Sequence, residues 1–152
     1  MTAGAPPTTP YWSGTIEIVD APSQDLRQAI LSGLIEFNSD NAAPAVARPL
    51  CIALRDQAGA CLGGLWGNTL YDWLAIELLF VPDAHRRHGL GARLLSRAEE
   101  ESRARGCIGA WLDTFSFQAR GFYERLGYSI AGQIPDHPLG GARYFLMKRW
   151  AA

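Results

Sequence analysis

Residues 78–95, LLFVPDAHRRHGLGARLL, combine features of a phosphate-binding turn. They comprise an apolar run typical of a strand, a proline, a basic turn, and the pair Gly89-x-Gly91 at the start of a helical pattern. A helix that starts on glycines without a capping side chain leaves backbone N–H groups unpaired at the positive end of the helix dipole. Such a terminus binds anions, and we interpret this one as a pyrophosphate cradle. The cationic side chains that accompany it are Arg86, Arg87 and Arg93.

The residues around the glycines exclude two common phosphate motifs. A Walker loop requires Gly-Lys-Ser/Thr, whereas this chain has Gly91-Ala92-Arg93. A dinucleotide fingerprint requires a third glycine at position 94, which is Leu94. The remaining pattern, Arg86-x-x-Gly89-x-Gly91, resembles the acetyl-CoA motif Gln/Arg-x-x-Gly-x-Gly/Ala of the GNAT superfamily of N-acetyltransferases. A basic turn whose glycines serve only tight packing is the alternative.

A second motif lies one predicted helix and one predicted strand further along the chain. Residues 122–128, FYERLGY, resemble the Phe-Tyr-x-x-x-Gly-Phe/Tyr signature of the same superfamily. The two motifs stand in the order that the superfamily requires, and the resemblance covers residues 14–150. The chain is therefore identified as similar to a small, single-domain, bacterial-type member of the GNAT superfamily.

The resemblance implies a set of residues that bind acetyl-CoA as cosubstrate, with no metal. Ser116 takes the place of an asparagine that meets the pantetheine in many members, and we also expect it to cap the helix that follows. The implied cofactor-binding residues are Leu79, Phe80, Val81, Arg86, Arg87, His88, Gly89, Leu90, Gly91, Ala92, Arg93 and Ser116.

Two residues are candidates for the chemistry. The resemblance implies that Tyr123 protonates the departing thiolate. Position 123 lies off the apolar stripe of its helix, so its phenol need not belong to the core. An aliphatic amine has a pKa of about 10 and needs a base before it can attack a thioester. Glu77 is the charged residue within an apolar strand, and the residues around it resemble the corresponding sequence of the spermidine/spermine acetyltransferase branch. We expect apolar neighbours to desolvate Glu77; a solvated surface charge is the alternative.

The pattern of elements predicts an α/β fold. The resemblance implies a mixed, mostly antiparallel, seven-stranded sheet with about four helices, whose central strands part beyond Phe80 and free the amides of Leu79 and Val81. Ser23 or Asp25 is expected to cap the first helix. The predicted strands are residues 14–20, 50–55, 61–66, 71–81, 107–113, 128–134 and 143–150, with helices near 26–37, 90–105 and 116–126.

Length and composition favour one domain over residues 14–150, preceded by a flexible tail over 1–13. The net charge of −1 argues against nucleic acid or an anionic membrane as partner. Neither a signal peptide nor an apolar run long enough to span a bilayer is visible, so we expect a cytoplasmic protein. The three cysteines, which we expect to be buried reduced thiols, are Cys51, Cys61 and Cys107.

These expectations converge on N-acetyl transfer from acetyl-CoA to a primary amine by direct attack on the thioester. The acceptor is expected to be a small-molecule amine or a peptide amine, and a homodimer stays open. The alternatives are a protein or peptide N-acetyltransferase, a catalytically silent CoA-binding regulatory module, and an unrelated nucleotide-phosphate binder.

Overall fold

A computed structural model describes residues 12–43 and 46–150, which form two separate compact units. The first unit contains helix α1 (Gln24–Asn41), and the N–H of Leu26 donates to the hydroxyl of Ser23 at 3.1 Å, as a helix cap does. The strand predicted over residues 14–20 is wrong, because Ile16 and Ile18 lie exposed outside any regular element. Alternation is a local pattern, whereas a strand also needs a partner to pair with.

The second unit is built on a six-stranded mixed sheet. Its strand order is β1-β2-β3-β4-β6-β5, in which β3 and β4 pair in parallel and the other neighbours are antiparallel. The α/β class and the mostly antiparallel sheet are confirmed. The strands are β1 (Arg48–Arg55), β2 (Cys61–Leu70), β3 (Trp73–Phe80), β4 (Gly109–Phe115), β5 (Ser129–Pro135) and β6 (Ala142–Arg149).

Seven strands and four helices were expected, and the described residues contain six strands and three α-helices. Residues 14–20 account for the missing strand. Besides α1, the helices are α2 (Leu90–Ala104) and the short α3 (Arg120–Arg125), with a 3₁₀ turn over Asp83–His85.

The connection between β2 and β3 lies later in the chain than expected. The sequence predicts strands over 61–66 and 71–81 and so a connection between them, but β2 continues to Leu70 and the chain reverses at Tyr71-Asp72, both with positive φ (46° and 63°). Two consecutive left-handed residues form the tight turn that matches the twist of a hairpin. Asn68 therefore lies inside a strand, opposite Ala75 of β3.

Helix α2 covers one face of the sheet. Its apolar side, formed by Leu94, Leu95 and Ala98, is buried, as the helical spacing predicts. Alternate residues of the strands complete this core, which gives the central strands a fixed inward face. The strand residues buried there include Leu50, Leu65, Leu74, Leu112 and Leu146.

One charge on α2 points into this core rather than to solvent. Only 6% of Glu99 is exposed, and Arg103, one helical turn further along α2, stands 3.6 Å away. The amino group of Lys148 donates to both Glu99 carboxylate oxygens (2.9 and 3.0 Å), and the hydroxyl of Tyr128 donates to one of them (3.1 Å). These bonds tie α2 to β6 and to the residue that precedes β5.

The parallel pairing at the centre of the sheet is short. It runs from Trp73–Gly109 to Ile76–Leu112 and then ends. Beyond that point β3 stays paired with β2, and β4 stays paired with β6. The sheet therefore opens after Ile76, four residues earlier than the predicted position beyond Phe80.

The three cysteines are free, and Cys107 is buried as expected. The expectation of burial is wrong for Cys51 and Cys61, which are exposed. Within the described residues, no helix has both the length and the apolar character needed to cross a bilayer.

We predict that Lys148→Met lowers the free energy of unfolding by about 3 kcal/mol, because it removes the main partner of a buried carboxylate. Urea unfolding measures the change. Arg97→Met is the matched control: Arg97 pairs with Glu100 at the surface (3.0 Å), and its loss should cost at most about 0.5 kcal/mol. Equal midpoints for the two variants would contradict the structural role of Lys148.

Candidate active site

The opening between β3 and β4 leads into a cavity of about 890 Å³. One wall is the end of β3 from Ile76 through Val81. A second is the turn and the first residues of α2, and a third is β4 together with residues 117–125. The cavity therefore joins both sequence motifs to the free edge of the sheet.

The first turn of α2 presents unpaired amides to this cavity. Gly89 caps the helix with φ +73°, a conformation that favours glycine, and contributes no capping side chain. The N–H of Arg93 makes the bond to the Gly89 carbonyl at 3.0 Å. The amides of Leu90, Gly91 and Ala92 precede that bond, so they are free to bind an anion, as helix N-termini do.

The cationic side chains in and near this turn differ in whether they hold the turn in place or face the cavity. Arg86 donates through Nε to the Val81 carbonyl at 2.9 Å and pairs with Asp83, so it holds the turn against the end of β3. Arg87 lines the cavity, and so does Arg125, which the sequence reasoning missed. Two predicted cofactor-binding residues, His88 and Arg93, are not among the lining residues, whereas the neighbouring His85 is.

Gly91 connects the two motifs physically. A Cβ at this position would lie 3.2 Å from the ring of Phe122, tighter than ordinary van der Waals contact. Phe122 belongs to α3 and also lines the cavity. Glycine at 91 therefore permits α3 to pack directly against the start of α2.

Residues Leu79, Phe80 and Val81 form the β3 wall of the cavity. Leu79 and Val81 pack against the core, while Phe80 is exposed on the other face. Beyond Ile76, the edge of β3 that faces β4 has no strand partner among the described residues. Every second amide of this segment points toward that edge and is therefore unpaired. That these amides are those of Leu79 and Val81 stays a prediction.

Ser116 has a different role from the two that were expected. It does not cap α3, which begins at Arg120 after Ala119. Its hydroxyl accepts from the N–H of Ala142 at 3.1 Å, and its own N–H donates to the Ala142 carbonyl at 2.8 Å. Ser116 is not among the residues that line the cavity, because these two bonds fasten it to the start of β6.

Tyr123 is buried at the cavity wall, with 9% of its surface exposed. Although position 123 lies off the apolar stripe of its helix, the ring belongs to the core and packs edge-on against Phe122 and Tyr128. Its hydroxyl has no hydrogen-bond partner among residues 12–43 and 46–150. Burial, and secondarily the charge of Asp113, raise the pKa of Tyr123 to about 12, so the phenol stays protonated at neutral pH.

Glu77 lies where the sheet opens and lines the same cavity. The side-chain amide of Asn68 on β2 donates to its Oε1. The expectation that apolar neighbours desolvate Glu77 is wrong, because the side chain is exposed. A bulge at this point of the β2–β3 ladder leaves Glu77 as an extra residue between Ile76 and Leu78.

A second carboxylate of the cavity, Asp113, was missed by the sequence reasoning. It is the first residue of β4 after the parallel pairing ends, and the Nε of Arg143 on β6 donates to its Oδ2 at 2.6 Å. The signal available in the sequence was a lone acidic residue in an apolar strand, the same signal that drew attention to Glu77. Among the described residues, no cluster of side chains suits a metal ion.

Comparison with known proteins identifies similar sequences and structures. Residues 15–128 match the acetyltransferase (GNAT) family. The chain is 37% identical to an acetyltransferase of Agrobacterium fabrum over 86% of its own length and 96% of the relative's. It is 45% identical to blasticidin-S acetyltransferase of Streptomyces morookaense over 60% and 68% of the two chains. A crystal structure of a candidate acetyltransferase from Agrobacterium tumefaciens superposes with a TM-score of 0.85 at 35% identity, over 90% of this chain and 100% of the other.

We predict that Gly91→Val abolishes the thermal stabilisation by CoA, because the added side chain presses on Phe122 and fills the cradle. With the parent protein, CoA at about a hundredfold excess over Kd should raise Tm by about 5–10 °C. Differential scanning fluorimetry measures both shifts. Gly132→Val is the control, since Gly132 lies on β5 with open space around its Cβ position. A full CoA shift in Gly91→Val would place the cofactor elsewhere.

Proposed function

This chain belongs to the acetyltransferase (GNAT) family, and we propose that it transfers the acetyl group of acetyl-CoA to a primary amine of a small molecule. Acetyl-CoA is the donor that its family uses, and the chain is an acyltransferase. The observation that carries the finer proposal is the single cavity that joins the start of α2 to Tyr123 and Glu77.

The cofactor is proposed to lie along the open edge of β3. The pyrophosphate accepts hydrogen bonds from the amides of residues 90–92, and Arg87 and Arg125 supply positive charge nearby. The pantetheine arm then follows residues 79–81 toward the opening, where a free strand amide donates to the acetyl carbonyl. A donor fixed in a site of this kind stabilises the oxyanion by a few kcal/mol.

The transfer itself is proposed to be direct. The amine nitrogen attacks the acetyl carbon, and Glu77 accepts a proton from that nitrogen, either directly or through a water. As the tetrahedral intermediate collapses, the C–S bond breaks and Tyr123 donates its phenolic proton to the sulfur. The products are the amide and CoA thiol, and exchange with solvent returns the two side chains to their starting protonation states.

Two contacts support these roles. The hydrogen bond from Asn68 holds one oxygen of Glu77 and leaves the second without a partner among the described residues. The Tyr123 side chain is nine-tenths buried at the cavity wall, and its hydroxyl has no protein partner in the described part of the chain, so its proton is available to the thiolate. With its pKa at about 12, the phenol carries its proton at neutral pH, as the donor in this step must.

A small-molecule acceptor is supported by the relative from Streptomyces morookaense, whose name identifies blasticidin S as its substrate. We predict that blasticidin S, tested in a panel of primary amines with acetyl-CoA, gives thiol release above the rate of thioester hydrolysis. Mass spectrometry should show the product heavier by one acetyl group. If the panel gives thiol release with peptides and with none of the small amines, the acceptor class proposed here is wrong.

We predict that Tyr123→Phe and Glu77→Gln each lower kcat by about 100-fold, the usual size of a general acid or base contribution. The KM for acetyl-CoA should barely change, because neither side chain is assigned to cofactor binding. The loss in Glu77→Gln should shrink as pH rises and the free amine becomes abundant. Steady-state kinetics between pH 6 and 10, with an acceptor from the panel, provide the measurement.

Matched substitutions at the surface serve as controls for these two variants. Tyr71→Phe removes an exposed hydroxyl in the β2–β3 turn, and Glu100→Gln removes an exposed carboxylate on α2, so both should keep the parental kcat. Full activity in Tyr123→Phe and Glu77→Gln would show that neither side chain carries the proton transfers, and only the proposed binding of CoA would stand. If the kcat of the parent falls at high pH with an apparent pKa near 10, and Tyr123→Phe lacks this fall, the burial of Tyr123 is contradicted.

A further inference from the structure

The two carboxylates of the cavity occupy equivalent positions on neighbouring strands. The parallel pairing of β3 and β4 ends at Ile76–Leu112, and the next residues are Glu77 on one strand and Asp113 on the other. Residues at matching positions of parallel strands project to the same face of the sheet. Both carboxylates line the cavity, so they flank the opening from its two sides.

Each carboxylate is held by one oxygen only. Oε1 of Glu77 accepts from the amide of Asn68, and Oδ2 of Asp113 accepts from the Nε of Arg143 at 2.6 Å. The second oxygen of each has no hydrogen-bond partner among residues 12–43 and 46–150. Two oriented carboxylates with unused acceptors provide a binding site for positively charged groups.

An independent feature points to a ligand at the same place. The Tyr123 side chain is nine-tenths buried at the cavity wall, and its hydroxyl is without a partner in the described part of the chain. A hydroxyl that lines a cavity without a protein partner is open to a hydrogen bond with a bound molecule. A bound molecule that reaches Tyr123 from the opening passes between Glu77 and Asp113.

The charge along the cavity separates by sign. Arg87 lies in the turn that leads into α2, where an anion fits, and the carboxylates lie at the opening. Arg143 offsets part of the charge of Asp113 but does not line the cavity, so the side chains that face an acceptor at the opening are the two carboxylates, which favour a positively charged substrate.

We propose that Asp113 is a specificity-determining residue that binds a second cationic group of the acceptor, so that the preferred substrate is a small amine carrying two positive charges. The inference rests on the proposed function and assigns different roles to the two carboxylates. Glu77 takes the proton of the attacking nitrogen and becomes neutral. Asp113, which stays paired with Arg143, keeps the negative charge that holds the other cationic group.

The test compares ligands that differ in one charge. Calorimetry on the complex with CoA measures the Kd of 1,3-diaminopropane against propylamine, and of blasticidin S before and after acetylation of its free amine. The parent should bind each doubly charged member about tenfold more tightly than its singly charged counterpart, as expected for one hydrogen bond to a charged group. Asp113→Asn should remove this preference, and Asp113→Glu should retain part of it.

Glu124→Gln is the matched control, because Glu124 also accepts from an arginine Nε (Arg120, 3.1 Å) but does not line the cavity. It should keep the full preference. Unchanged CoA stabilisation and circular dichroism in Asp113→Asn exclude a folding defect. The assignment is overturned if the parent binds doubly and singly charged amines equally well, or binds neither. It is also overturned if Asp113→Asn still prefers the doubly charged amines.

Binding and turnover separate this inference from the proposed function. If the parent prefers doubly charged amines but no amine gives thiol release, the function proposed for the chain fails and the role of Asp113 in binding stands. If thiol release occurs and Asp113→Asn leaves the acceptor KM unchanged, the role of Asp113 alone fails.

Discussion

The early end of the parallel pairing between β3 and β4 is the constraint on which the site depends. Four residue pairs hold the strands together, and after Ile76–Leu112 each strand follows its outer neighbour instead. The bulge at Glu77 accompanies this change of direction. Because the strands part within the sheet, backbone amides that would otherwise pair with a neighbour face a cavity. A parallel sheet that stayed paired would leave no such edge at its centre.

Two packing arrangements maintain this opening from the α2 side of the sheet. Glycine at position 91 lets Phe122 approach the start of α2, so α3 closes one side of the cavity. The buried Glu99 binds Lys148 and Tyr128, and the Tyr128 ring packs edge-on against Tyr123. The phenol proposed as general acid is therefore held by the core and not by a flexible loop.

The parts of the site that the sequence predicts are those encoded over a few adjacent residues. The Gly89-x-Gly91 turn is an example, because backbone conformation and close approach dictate glycine locally. Asn68 and Asp113 could not be placed in this way, because they reach the cavity only through the length of β2 and the register of β4. The burial of Glu99 likewise depends on Lys148, which is 49 residues away in the chain. The strand expected at residues 14–20 failed for the same reason, since alternation says nothing about a pairing partner.

The central claim is that CoA lies in the opening between β3 and β4 and against the first turn of α2. An amide chemical-shift titration of isotopically labelled protein with CoA tests this claim most directly, because it reports on individual backbone N–H groups. The structure predicts the largest shifts at residues 79–81 and 90–92, with little change along β1 and β5. Shifts confined to residues 24–41 or to β5 and β6 would contradict it.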